Sequence, residues 1–180
     1  MTVKFKIQFF MLFLFLMFLI TNAFCADSKQ EAYAVLKAAE DSFLAMKKAK
    51  KDNSVVTVAE SKNYLEIWNF LTDKSRETIL KDVYKEEKKT GFRKDLTLKD
   101  VETNFSECKE LCVTYWYNFL TAFDPEMVLS QSKWEMGFIK GDKAEIIVTY
   151  KTAQQPAKLK MFKENGSWKF GLVETFWVRR

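Results

Sequence analysis

From Met127 onward the apolar residues recur at every second position, whereas before that point they recur at helical spacing. This change of period, from 3.6 to 2, constrains the fold more than any other feature, because strands with one apolar face need a cover. Trp134, Met136 and Phe138 alternate with Lys133, Glu135 and, after a slip, Lys140, and Lys140-Gly141-Asp142 reads as a turn. Ala144, Ile146, Val148 and Tyr150 share one face, opposite Glu145, Thr149 and Lys151. After Gln154-Gln155-Pro156, Leu159 and Met161 alternate with Lys158 and Lys160. Asn165-Gly166 is a strong hairpin signal leading to Trp168, Phe170 and Leu172, and Gly171 predicts a bulge or strong curvature. Four consecutive antiparallel strands follow from this pattern.

The cover has to come from the preceding helices. Gln30 to Lys51 is rich in Ala, Lys and Glu, with Leu36, Ala39, Phe43 and Met46 on one face and Asp52-Asn53-Ser54 as punctuation. A second helix places Tyr64, Ile67, Trp68 and Leu71 at i, i+3, i+4 and i+7. Thr72 to Ser75 caps a third, with Ile79, Leu80, Val83 and Tyr84 inward and Gly91 as its stop. Thr97 with Asp100 resembles a capping box opening helical sequence that reaches Phe123, with a break near Ser106, and Asp124-Pro125 ends it. The fold class is therefore α+β, with N-terminal helices packed on a curved C-terminal antiparallel sheet of about four strands. No repeat or linker divides residues 26–180, so a single domain is expected there.

Residues 1–25 have the parts of a secretory signal peptide: Lys4 and Lys6, an apolar run from Phe9 to Ile20, and small residues near Cys25. The run is shorter than the roughly 20 residues of a membrane span. Cleavage after Cys25 gives an exported periplasmic or secreted domain of a bacterial type. Two other readings stay open: an uncleaved anchor from Phe9 to Ala26, and lipidation of Cys25, which the bulky Phe24 disfavours. Either would tie the domain to a membrane.

Cleavage lowers the formal charge from +5 to +3, with lysines and acids interleaved. The densest basic stretch, Lys81 to Lys94, also holds Asp82, Glu86 and Glu87, so it reads as a solvated helix face and no nucleic-acid partner is expected. The chain has no histidine, which excludes Ser-His and Cys-His nucleophiles and His-containing zinc sites. No cofactor or metal is called for. Cys108 and Cys112 stand four apart, on one face if helical, and suit either two buried thiols or a disulfide.

The segment Lys163-Glu164-Asn165-Gly166-Ser167-Trp168-Lys169-Phe170, after the strand Ala157 to Phe162, is similar to the final hairpin of small exported bacterial domains in the nuclear transport factor 2-like superfamily. Ala32 to Lys48 and Trp68 to Leu80 suit the opening helices of that family. The resemblance covers roughly residues 30 to 178 and implies a cone-shaped fold with a pocket between sheet and helices. It implies three functions. One is binding of a small apolar ligand by Trp68, Trp116, Trp134, Phe138, Tyr150, Trp168 and Phe170, against plain core packing of the same aromatics. Another is envelope assembly or homodimerisation, for which the two-faced run Val173, Phe176, Trp177 and Val178 supplies an apolar patch. The third is isomerase- or lyase-like catalysis by a carboxylate and a tyrosine, for which Glu135, Glu145, Tyr115 and Tyr150 are present, although both glutamates fall on the polar strand face. Catalytic residues are not assigned.

Overall fold

The computed structural model describes residues 28–50, 58–91 and 93–177; residues 1–25, read above as a signal segment, the Asp52-Asn53-Ser54 break and Val178 lie outside them. Residues Val35–Arg180 cluster as one compact unit and Met1–Ala34 as a second. Of the second, residues 28–34 are helical. All packing below is internal to the first.

Among the described residues, seven helices precede and follow a four-stranded antiparallel sheet: α1 (28–50), α2 (Val58–Phe70), α3 (Asp73–Thr90), α4 (Leu98–Ser106), α5 (Glu110–Ala122), α6 (Pro125–Gln131) and, after the sheet, α7 (Leu172–Phe176). The strands β1 (Ser132–Lys140), β2 (Lys143–Tyr150), β3 (Ala157–Glu164) and β4 (Ser167–Phe170) pair in sequence order as a meander. The fold is α+β. Val35, Ala39, Phe43, Met46 and Ala49 are buried along one face of α1, and Tyr64, Ile67, Trp68 and Leu71 on α2 and just past its end. Ala144, Ile146, Val148, Leu159, Met161, Trp168 and Phe170 bury the inner face of the sheet. In α3, Ile79 is buried, while Leu80, Val83 and Tyr84 are only half-buried.

Three expectations need correction. Asp124-Pro125 follows the end of α5 at Ala122 as expected but also starts a further helix, because proline at the first helical position loses no hydrogen bond; β1 therefore begins at Ser132, not Met127. The register of β1 on β2 slips between Met136 and Phe138, so Phe138 pairs with Glu145 on the outer face and is 49% exposed. Gly137 permits the slip: a Cβ there would lie 2.9 Å from the Glu145 carbonyl oxygen. Finally, Val173 to Phe176 is no strand. Gly171 ends β4, where a Cβ would meet the Phe162 ring at 2.8 Å, and the chain turns into α7.

The helical part is fastened to the sheet at the N-terminus of α3. Leu71 bridges to Phe170, and the Thr72 N–H donates to the Phe170 carbonyl (3.1 Å). Thr72 Oγ1 accepts the Ser75 N–H (3.0 Å) and donates to Glu174 (3.0 Å). Ser75 Oγ donates to the other Glu174 oxygen (2.6 Å) and accepts the Val173 N–H (3.1 Å). Glu164 in β3 accepts the Asp73 N–H at 2.9 and 3.2 Å. Two carboxylates from distant segments thus sit where the helix dipole favours negative charge. Thr72 and Ser75 are buried, so their hydroxyls have no water as a substitute, whereas the Glu164–Asp73 bonds are exposed.

The helical sequence from Leu98 is interrupted after Ser106. The capping box opens α4: Thr97 Oγ1 accepts the Asp100 N–H (3.2 Å), and Asp100 accepts the Thr97 N–H (2.8 Å) and hydroxyl (2.6 Å). Those bonds from Thr97 hold the Asp100 carboxyl below its usual range. At the other end Lys109 N–H reaches the Asn104 carbonyl (2.8 Å) and Cys108 N–H the Phe105 carbonyl (3.3 Å). That is a Schellman turn, whose left-handed position, normally glycine, is held by Cys108 at φ 45°. Cys108 and Cys112 form a disulfide with Cα atoms 5.0 Å apart. Cys108 stands in the turn and Cys112 in α5, so the cysteines do not share one helix; both are buried.

Two measurements test these joints. Ser75→Ala should lower stability by about 2 kcal/mol in urea unfolding, since it strands the Val173 N–H and removes one donor from Glu174. With the disulfide removed, the Cys108→Gly/Cys112→Ala variant should exceed Cys108→Ala/Cys112→Ala by about 1 kcal/mol, because only glycine adopts the left-handed turn without steric cost. Equal stability of the two would show that the turn relaxes once the disulfide is gone.

Candidate functional site

A cavity of about 270 Å³ opens between the inner sheet face and the helices. Its floor is Val148 and Tyr150 from β2 and Ala157 and Leu159 from β3; its walls are Phe43 of α1, Phe123 at the end of α5, Met127 and Val128 of α6, and Phe176 of α7. The polar lining residues are Ser132, Tyr150 and Gln155. Phe43 is fully buried and makes an edge contact with Trp134 at 5.2 Å, with Phe170 at 5.5 Å and Phe123 at 5.9 Å behind it. Phe176 closes the ring of phenylalanines, 5.8 Å from Phe123 and 6.2 Å from Phe170. Phe176 and Met127 are 43% and 38% exposed, so both stand at the mouth.

Polar groups hold this end of the sheet to α6 without entering the apolar space. Tyr150 donates to the Gln131 side-chain oxygen (2.9 Å), and Trp134 Nε1 to the Val128 carbonyl (3.3 Å). Beside them, Lys47 pairs with Glu126 (2.5 Å), and Lys50 donates to the Phe123 carbonyl (2.9 Å) and sits 3.6 Å from Asp124. α1 and α6 are thereby pinned on either side of Phe123.

Of the seven aromatics expected to line a pocket, the structure brings one, Tyr150, to the cavity wall. Trp134 and Phe170 stand behind Phe43 as its support. Trp168 is buried on β4 with the Lys163 ammonium 5.7 Å from its ring centroid. Trp68 and Trp116 are packed among the helices, Trp68 on Phe105 (4.8 Å) and Trp116 on Tyr115 (5.1 Å) and Phe119 (5.6 Å). Phe138 is on the other side of the sheet. The pocket residues that sequence reasoning missed are Phe43, Phe123, Met127, Val128 and Phe176. For Phe43 the sequence signal was its place on the apolar face of α1; for the others the chain turns involved are tertiary.

The carboxylates and tyrosines considered for catalysis are dispersed. Glu135 and Glu145 lie on the outer sheet face in ion pairs with Lys133 (2.9 Å) and Lys158 (3.1 Å). Tyr115 lines a separate groove between α3 and α5 that also holds Asp82. Its hydroxyl is buried and, like Trp116 Nε1, has no hydrogen-bond partner among the described residues. Burial, with a further push from the Asp82 carboxylate, raises its ionisation well above the usual phenol range. Among the described residues no group of three or more His, Cys, Asp or Glu could hold a metal, and no helix is long and apolar enough to cross a membrane.

The raised Tyr115 ionisation favours the protonated phenol in the folded state. The unfolded phenol ionises near pH 10, so the linked stability is intact below that pH and declines as pH rises further. Tyr115→Phe should therefore flatten the alkaline loss of stability above about pH 10, followed by denaturant unfolding. A parent and variant that fall in parallel would place the hydroxyl in water. No family model, curated protein or solved structure matches this chain, so a functional reading rests on the cavity and its surroundings.

Proposed function

We propose that the chain is an exported, non-enzymatic domain that binds a small, uncharged apolar ligand between its sheet and helices, in the manner implied by its resemblance to the nuclear transport factor 2-like superfamily. The observation that carries this reading is the cavity walled by Phe43, Phe123 and Phe176 over Val148 and Leu159. At about 270 Å³ it lies just below the range of roughly 300–1,000 Å³ typical of ligand sites, which points to a compact ligand rather than a long chain. Its lining supplies a hydroxyl at Ser132 and an amide at Gln155, enough to orient a ligand. What favours binding over acid–base chemistry is that the lining contains no carboxylate or lysine.

Ala157 is the position at which to test this, because it lines the cavity yet is exposed, so enlarging it fills the space with little cost to the core. Titration with the neutral probe N-phenyl-1-naphthylamine should give a saturable fluorescence rise with the parent. The Ala157→Trp variant should lose binding at least tenfold at unchanged thermal midpoint, tenfold being about 1.4 kcal/mol of contact. Undiminished binding by that variant, or no saturable binding by the parent and no co-purifying small molecule in native mass spectrometry, would overturn the proposal.

A further inference from the structure

The outer face of the sheet carries a charge pattern that costs stability and is not balanced within the sheet. Cross-strand partners share a face, so the register gives its rows directly. At the hairpin end the row is Lys140, Lys143, Phe162 and Lys169; the next is Phe138, Glu145 and Lys160; the third is Glu135, Ile147 and Lys158. Lys133 pairs with Thr149 beyond these. Like charges directly opposite on neighbouring strands destabilise a sheet, yet Lys140 faces Lys143 with no acid in their row. Six lysines stand on this face against Glu135, Glu145 and Glu164. Glu135 is paired with Lys133, Glu145 with Lys158, and Glu164 caps α3. Lys169 donates to the Asn69 carbonyl. Lys140, Lys143 and Lys160 have no ion pair among the described residues, and Phe138, half exposed, stands in the row between them. Asp142, in the turn joining Lys140 to Lys143, is the acid nearest in sequence; it is exposed, and its carbonyl accepts the Lys163 N–H (2.9 Å).

We propose that this face docks on an anionic lipid bilayer, with Lys140, Lys143 and Lys160 toward the headgroups and Phe138 entering the interfacial layer. The charges are all lysine, which acts as a point charge on a flexible stem and suits a plane of headgroups better than the forked geometry by which arginine reads individual phosphates. Strand pleat sets them in rows on an open sheet face, and an exposed aromatic among cations is the composition of interfacial anchors. The proposal is independent of the cavity, which lies on the opposite face.

The test is sedimentation of the full chain with vesicles of phosphatidylcholine alone and of equimolar phosphatidylcholine and phosphatidylglycerol. The ratio of the two partition coefficients reports the face, since any apolar segment of the chain partitions into both. The expected result is preference for the anionic vesicles that shrinks as ionic strength approaches about 1 M. Lys140→Glu/Lys143→Glu/Lys160→Glu should cut the ratio by well over about 100-fold, since loss of each lysine near a charged surface costs about fivefold and the new carboxylates add repulsion. The corresponding triple Gln variant, which adds no new charge, should cut it less but in the same direction. Phe138→Ser should weaken binding to both vesicle types. Equal partition of the parent into both vesicles, or an unchanged ratio in the two triple variants, would overturn the proposal. So would lysine-dependent binding to poly(U) or polyglutamate without vesicle preference, which would reassign the face to a macromolecule.

Discussion

The N-terminus of α3 is the joint on which the rest of the structure depends. Helices and sheet come from separate halves of the chain, and an apolar interface alone would let them slide. Thr72 and Ser75 remove that freedom because both are buried and both hydroxyls hydrogen-bond into the other half, to Glu174 and, from Ser75, to Val173. The hydroxyls take one backbone N–H from α3 and one from α7, and hand their own protons to Glu174. Glu164 completes the set from β3. Directional bonds fix the register in which Leu71 meets Phe170, and so fix where β4 ends and α7 begins. Phe176, four residues beyond Leu172, reaches the cavity mouth because of that register.

From this joint an unbroken line of aromatic contacts runs through the core. It passes from Trp68 and Phe105 through Tyr115, Trp116 and Phe119 to Phe123, and then divides to Phe43 with Trp134 and to Phe176 with Phe170. Such pairs contribute roughly 0.5–1.5 kcal/mol each beyond their buried area. The cavity lies where the line ends, walled by Phe43, Phe123 and Phe176 over Val148 and Ala157. The buried Trp116 and Tyr115 polar atoms show a preference for ring packing over hydrogen-bond satisfaction.

The α+β class and the four-strand meander were legible because period 2, the turn residues and Asn165-Gly166 all agree. The helix caps at Thr72, Thr97 and Gly91 were legible for the same reason: each is a local motif. Misreadings occur where a local signal has two meanings. Asp124-Pro125 serves as well to start a helix as to stop one, and here it stands between the two, after α5 and at the start of α6. Phe138 has the right spacing for the inner face, but Gly137 lets β1 slip by one residue and every later side chain changes sides. Ile139, opposite Ala144, thereby becomes the inward residue. A cavity lies between sheet and helices, but of the seven named aromatics only Tyr150 lines it, because size and apolarity alone do not distinguish a wall from a core.

The same slip explains how a mildly basic chain acquires a strongly basic face. In sequence the lysines of β1, β2, β3 and β4 alternate with apolar residues and are scattered among acids, so no stripe is visible. Pairing brings Lys140, Lys143 and Lys169 into one row, and the slip adds Phe138 beside them instead of burying it. This row is at the end of the sheet where the β1–β2 and β3–β4 hairpins turn, whereas the cavity floor, Tyr150 and Ala157, is at the β2–β3 end. Docking through the lysine row would therefore leave the cavity mouth facing water. A ligand would exchange with solution and not directly with the acyl chains, which fits the compact cavity better than it fits a lipid-sized one.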